Sequence, residues 1–313
     1  MTDDNYTPNW RLRDMLEDNK LLLLVISRFS IPFGFGNKTV AEVCRDNNIH
    51  CPTFLSVANL ISGHKYDSSN ISLQQLTGYL KKAHTYFLDF ALPMIRRRMV
   101  EALCGSELDD VAFLILKYFD NYAVEVHKHM EFENTRLFSY VDSLLAGNPD
   151  KDFDLHHYTT HHSDLTERLN ELNNIIIRHY RRNDSDMLNA VLYDIFACQN
   201  DLMSHCDVEN RILVPAIRHL LSTHTAVAPS PVAEAVKSAE SDNPLSQREK
   251  EIIALVSKGL ANKEIADRLC LSVNTVTTHR RNIASKLQIH SAAGLTIYAI
   301  MHKLIDISEI HLE

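Results

Sequence analysis

The chain has 313 residues, 45% of them hydrophobic and 23% charged, which suits two or three packed domains and excludes a disordered chain. Only 8 Gly and 9 Pro occur, too few for a turn-rich all-β fold, so an all-α architecture is expected. The net charge of −8 is uneven: from Pro244 to Ile305 nine Lys and Arg stand against four acids, a balance of +5 that leaves −13 elsewhere, as if one part meets a polyanion and the other does not.

In chain order, residues 1–70 read as a small helical N-terminal domain. They hold a hydrophobic run, Leu21 to Ile26, an Ile-Pro-Phe-Gly-Phe-Gly turn at 31–36, and short helices over 38–47 and 52–63. Residues 71–221 read as an up-down four-helix bundle, with helices over 73–100, 109–145, 155–180 and 186–221. Breaks are expected at Gly105-Ser106, at Gly147-Asn148-Pro149 and at Arg182-Asn183-Asp184. Residues 222–243 are small, contain Pro-Ser-Pro and lack an apolar period, and they read as a linker. Residues 244–313 read as a C-terminal four-helix domain of helix-turn-helix type.

No apolar run is long enough to cross a membrane, and the amino terminus lacks a basic start before an apolar stretch. The six cysteines form no C-x-x-C pair. A cytoplasmic chain with reduced thiols and no membrane partner is therefore expected.

The bundle stripes carry polar residues where core belongs. Leu80, His84, Phe87, Ala91 and Ile95 share one helix face. Val111, Ile115, Tyr118, Tyr122, His129 and Glu133 share a second, and Val191, Ile195, Cys198, Leu202, His205, Glu209 and Leu213 a third. Leu165, Leu169, Leu172 and Ile176 point inward from the remaining helix. A histidine is thus followed four residues later by a glutamate on two bundle helices, with His84 as a third inward imidazole. Burying such a set costs many kcal/mol unless cations offset it. Mixed imidazole and carboxylate donors suit iron, manganese or zinc, and two carboxylates able to bridge suggest a dinuclear centre.

The segment Asp201-Leu-Met-Ser-His-Cys-Asp-Val-Glu-Asn-Arg-Ile-Leu-Val-Pro215 resembles the last helix of hemerythrin-like proteins, closest to the iron–sulfur-cluster repair di-iron branch. The His129-to-Glu133 stretch and His84 followed by Leu92-Pro93 resemble the second and first helices of that branch. The resemblance implies two iron ions, with His84, His129, His162 and His205 as terminal ligands and Glu133 and Glu209 bridging. For the third helix, alignment favours His162, whereas helical phase favours His161; we take His162. Four histidines rather than the five of oxygen carriers imply reaction or sensing. His127, His156, His157 and His179 read as surface or supporting residues, and Cys206 as packing. The stretch from Lys38 to Cys51 is similar to the small domain that precedes such bundles, where a cysteine pair is usual; Cys51 alone occupies that place.

In the C-terminal segment Ser246 and Glu249 have capping-box spacing. Ile252, Ile253, Leu255 and Val256 form an apolar face, and Gly259 closes that helix. Asn262 is expected to cap the second helix and Ser272 the third, on which Val273, Val276, Ile283 and Leu287 face inward. Asn274, Thr275, Thr277, Thr278, Arg280, Arg281 and Lys286 remain for phosphates and base edges of double-stranded DNA. Leu245-Ser-Gln-Arg-Glu249, Gly259-Leu-Ala-Asn-Lys-Glu-Ile-Ala266 and Ser272-Val-Asn-Thr-Val-Thr-Thr-His-Arg-Arg-Asn-Ile283 resemble the LuxR-type DNA-binding domain. Thr277 stands where that family commonly has Lys. The resemblance implies a third helix in the major groove and a fourth, about 291–303, that pairs with its twin.

Together these readings give a one-component transcription regulator, not an enzyme. It senses O₂, peroxide, NO or redox state at a non-haem di-iron centre, and its expected partners are double-stranded DNA, RNA polymerase and a second copy. The alternative is a di-iron enzyme that consumes an oxidant or NO, or repairs clusters, with an autoregulatory DNA-binding module.

Overall fold

A computed structural model describes residues 5–103, 110–148, 153, 155, 162–180, 186–224 and 245–307. The fold is all-helical: a helical N-terminal region, a central bundle and a C-terminal helix-turn-helix set, with no strand among the described residues. No described helix is long and apolar enough to cross a membrane. The chain divides into two compact units. One comprises Met1–Leu92, Val126–Ser163 and Cys198–Ser230, the other Pro93–Glu125, Asp164–Ala197 and Pro231–Glu313. The cut runs across the bundle helices.

In the first unit, α1 (Leu12–Asp18), α2 (Leu22–Arg28), α3 (Val40–Asp46) and α4 (Cys51–Ile61) precede the bundle. The expected run 21–26 becomes α2, and the turn at 31–36 uses Gly34 and Gly36 at φ of +92° and +60°. Thr39 starts α3: its Oγ1 accepts from the Glu42 N–H while the Glu42 carboxylate accepts from the Thr39 N–H. These helices share one core with the adjoining bundle segments, in which Phe54, Val57, Leu76 and Leu80 join Phe138, Val141, Leu213 and Ile217. Each such side chain contributes roughly 1.5–3 kcal/mol.

A buried ion pair crosses that core. Arg28 Nη1 and Nη2 donate to the two Asp201 carboxylate oxygens at 2.8 and 2.5 Å, with both side chains about 4% exposed. The rings of Tyr79, Tyr86 and Phe87 lie 5.4–5.7 Å from the guanidinium carbon. The two-pronged geometry and the aromatic lining suit Arg rather than Lys.

The first bundle helix is α5 (Leu73–Thr85), a π-helical turn π1 (Tyr86–Ala91), and α6 (Leu92–Leu103). The second is α7 (Asp110–Phe132), π2 (Glu133–Leu137) and α8 (Phe138–Leu145), closed by Gly147 at φ +78°. The third is α9 (His162–His179), and the fourth is α10 (Asp186–Val208), π3 (Glu209–Leu213) and α11 (Val214–His224). The expected stripes are buried: Leu80, Phe87 and Ile95 on the first helix, Leu169 and Leu172 on the third, Val191 and Ile195 on the fourth. The breaks at Gly105-Ser106 and Arg182 to Asp184, and residues 156–161 of the expected third helix, fall outside the described residues. The expected linker does too, apart from Ser222 to His224, which continue α11 rather than leave it.

The second unit contains the C-terminal set: α12 (Gln247–Ser257), α13 (Asn262–Leu269), α14 (Val273–Leu287) and α15 (Ala292–Met301). Ser246 and Glu249 form the expected capping box, and Ser272 Oγ accepts from the Thr275 N–H at 3.0 Å. The cap of α13 differs from expectation. The cap position is Ala261, whose N–H donates to Glu264 at 2.7 Å, and Asn262 is the first helical residue. Its side chain is thereby free to accept from Arg280 Nη1 at 2.6 Å. Val273 also differs: it is 45% exposed at the first position of α14, where the helix has not yet met the core. Val276, Ile283 and Leu287 are buried as expected, and Cys270 takes the left-handed conformation at the turn, with φ +53°.

Candidate metal centre and nucleic-acid interface

Within the first unit, His84, Glu133, His205 and Glu209 come together, each offering a ligand atom within 4.8 Å of the others, and all four are buried. His84 Nε2 lies 3.2 Å from Glu133 Oε2 and 3.2 Å from His205 Nε2. His205 Nε2 lies 3.2 Å from Glu209 Oε1. His129 joins at the rim, its Nε2 2.9 Å from Glu133 Oε1. Five of the six predicted ligands therefore converge. His162 opens α9, but its side chain lies outside the described residues, as does all of His161.

Both glutamates are the first residue of a π turn, in Glu133-Asn-Thr-Arg-Leu137 and Glu209-Asn-Arg-Ile-Leu213. A third π turn begins two residues after His84. Such a turn accommodates an extra residue and re-aims the side chains around it, which is why these turns gather at functional sites. Regular helical spacing does not reveal them. The repeated H-x-x-x-E-N-x-x-L pattern at His129 to Leu137 and His205 to Leu213 is the signal that could have done so.

Asn134 is a residue that sequence reasoning missed. Its Oδ1 stands 2.9 Å from His84 Nδ1. An N–H donated there leaves the Nε2 lone pair facing the cluster, the orientation a ligating imidazole needs. The Phe138 ring stacks on His84 at 5.4 Å, and Phe87 stands edge-on to His205 at 5.9 Å. These walls lower the local dielectric and sharpen each electrostatic interaction inside.

The donor set fits a metal. Glu133 and Glu209 are 0% exposed, and a buried carboxylate costs several kcal/mol without a compensating charge. Three imidazole nitrogens and two carboxylates on one cluster match transition-metal rather than magnesium or calcium preferences.

The other candidates divide. His127 is exposed beside Glu131, 3.7 Å away. His156 and His157 lie outside the described residues. His179 packs on Tyr298 and His302 within the second unit. Cys206 is buried, and burial, reinforced by Glu209, pushes its thiol up. Cys51 is not alone: its sulfur accepts a hydrogen bond from the Cys44 thiol, which lowers Cys51 and raises Cys44. The six residues between them hid this neighbour, which becomes visible once α3 and α4 fold back on each other.

On the C-terminal set, Asn274, Thr277, Thr278 and Arg281 are exposed along α14, and Thr275 is half-buried. The Thr277 and Thr278 hydroxyls donate to the carbonyls of Val273 and Asn274, both at 3.0 Å. Two basic side chains have partners of their own. Arg280 bonds Asn262, and Lys286 Nζ lies 2.8 Å from Glu249. Burial raises the Glu249 carboxyl, but Lys286 and the Ser246 N–H outweigh it and hold the group below its ordinary value.

Comparison with known families follows these two regions. Residues 75–217 match the hemerythrin HHE cation-binding domain, and residues 243–299 match the luxR family of bacterial regulatory proteins. The chain is similar to the Fimbriae Z protein of Escherichia coli strain K12, 38% identical over 117 residues, which cover 36% of this chain and 55% of the relative. It is similar to the oxygen regulatory protein NreC of Staphylococcus carnosus, 48% identical over 62 residues, 20% of this chain and 29% of the relative. It is similar to the response regulator VraR of Staphylococcus aureus, 44% identical over 70 residues, 22% and 34%. The chain thus spans about half, or less, of these relatives' length. No solved structure matches it. In chain order, a segment matching the hemerythrin HHE cation-binding domain is followed by one matching the luxR family of bacterial regulatory proteins.

Proposed function

We propose that this protein is a transcription regulator, not an enzyme, in which a non-haem di-iron centre governs DNA binding by the LuxR-type domain. The observation that carries the reading is the buried His84, Glu133, His205 and Glu209 cluster on a chain that also bears an exposed recognition helix. His84, His129, His162, His205, Glu133 and Glu209 would together hold two iron ions. Iron bound there would supply redox chemistry toward O₂, peroxide or NO.

The chain's own residues do the rest. Asn134 fixes the His84 tautomer, and Phe87 and Phe138 limit water. A change of charge in the cluster alters how tightly Glu133 and Glu209 are held. Both residues open π turns, which occur as single-turn bulges inside α-helices. A bias of about 1–3 kcal/mol between two arrangements is enough to change promoter occupancy usefully. Double-stranded DNA, RNA polymerase and a second copy are the partners this reading assigns. It places the protein in the cytoplasm.

The test is iron content together with unfolding. After anaerobic reconstitution the chain should hold two iron ions, and at iron about a thousandfold above Kd it should gain about 4 kcal/mol per ion against denaturant. Glu209→Ala should lose both the iron and the gain. Full iron in that variant, or less than two iron in the parent, removes the reading. DNA binding measured with air, peroxide and NO then separates a sensor from an enzyme, because an enzyme turns over its oxidant with no change in DNA affinity.

A further inference from the structure

The fourth helix of the C-terminal set, α15, begins against the bundle's third helix, and the contact is made by a carboxylate. Glu171 on α9 is 3% exposed. Its Oε1 accepts from Ser291 Oγ at 2.7 Å and from the Ser291 N–H at 3.3 Å. Ser291 caps α15, its Oγ accepting in turn from the Gly294 N–H at 2.9 Å. A negative charge is thus seated where the helix presents unpaired N–H groups and the positive end of its dipole.

Gly294 makes the seat possible. A Cβ there would overlap Glu171 Oε1 and stand 2.8 Å from Ile289 Cγ2. Glycine is a poor residue for the interior of a helix, and this φ needs no glycine, so the close approach of the carboxylate is what explains it. The contact extends along α15. Tyr298 meets the His179 ring edge-on at 4.8 Å, and His302 Nε2 lies 3.1 Å from His179 Nδ1. Tyr118 of α7 reaches the same spot, its hydroxyl lying close to Ser291 and Glu171. Glu171 thereby gathers groups from two bundle helices and from the cap of α15.

We propose that Glu171 is a docking latch that holds the DNA-binding module on the bundle through α15, and that this contact, not the linker, is where the state of the bundle reaches the module. The latch rests on the regulator reading above. Covalent continuity supplies the route. Glu171 shares α9 with His162, and Tyr118 shares a continuous helix with His129 and Glu133. Glu171 itself touches no reacting group; it is a positioning residue. While docked, α15 is engaged, and when released its surface is free for a second copy.

The test uses the full chain, iron-free and iron-loaded, and reads hydrogen exchange of residues 291–301. Gly294→Ala changes no bundle residue, displaces the Glu171 carboxylate from its seat and favours the helix, so it should release α15 without unfolding it. Exchange there should rise about tenfold in Gly294→Ala and in Glu171→Gln, and stay unchanged in Glu167→Gln, an exposed carboxylate on the same helix. In the parent, exchange should differ between the iron-free and iron-loaded forms, and in Gly294→Ala that difference should vanish. Wild-type protection in Gly294→Ala, or an iron-dependent difference that survives there, overturns the latch. If the chain takes up no iron, the regulator reading fails, yet the iron-free comparison of parent and Gly294→Ala still decides whether the latch exists.

Discussion

The metal cluster and the C-terminal module handle charge in opposite ways. At the cluster, imidazoles and carboxylates from three helices are taken out of water and brought within 4.8 Å of one another. On α14, Asn274, Thr277, Thr278 and Arg281 stay in solvent, while the basic residues nearer the core are already bonded within the module. A buried charge must have a partner at close range, so the first region is specified by convergence. A solvated charge needs only a helix to stand on, so the second is specified by local pattern. Position within the fold, not residue type, therefore decides whether a polar side chain belongs to a ligand set or to a reading surface.

The largest expected effect lies at the buried ion pair. Arg28→Ala leaves Asp201 buried without its cation and should cost about 3–5 kcal/mol in urea unfolding. A loss under about 1 kcal/mol would mean that burial of charge is not what organises this region.

A smaller contrast sharpens the surface side. Arg281→Ala should weaken binding to a mixed-sequence DNA duplex and reduce the slope of log affinity against log salt by about 1. Lys286→Met should leave that slope unchanged and cost the module about 1–2 kcal/mol, because its ammonium serves Glu249. Equal salt slopes in the two variants would erase the distinction between bonded and free basic residues on α14.

The smallest expected effect is a pH dependence of the docked helix. Burial first, then the charges of His302 and Arg178, lower His179 from its ordinary 6.5 to about 4, with Tyr298 packed on its ring. The docked form therefore holds the neutral imidazole, and a proton favours release. Docking should be fully present above about pH 6.5, weaken as pH falls toward 4, and change no further from this source below that. Exchange of α15 amides, corrected for intrinsic rate, should rise between about pH 7 and about pH 5, and His179→Gln should flatten the dependence. A dependence unchanged in His179→Gln would assign it to another group.

Much of the fold was legible because its determinants are local. The stripes at Leu80 to Ile95 and Val191 to Leu213 follow helical period, and Ser246, Glu249 and Ser272 announce helix starts by side-chain chemistry alone. His84, His129, Glu133, His205 and Glu209 could be selected because a polar residue in an apolar stripe is conspicuous. Asn262 was misplaced by one helical position, since the exact end of a helix depends on which cap is closest in space, and Val273, placed correctly at the first helical position, was expected inward but is exposed.

What the chain alone determined was which residue types stand on which helix face, the acidic body, the basic tail and the family of each part. What only tertiary structure decided was who meets whom across long separations: Arg28 with Asp201, Asn134 with His84, Cys44 with Cys51, Glu171 with Ser291 and Gly294. The physical reason is range. Helical period and capping act over three or four residues, whereas an ion pair or a carboxylate seat depends on the distance between atoms that folding alone brings together.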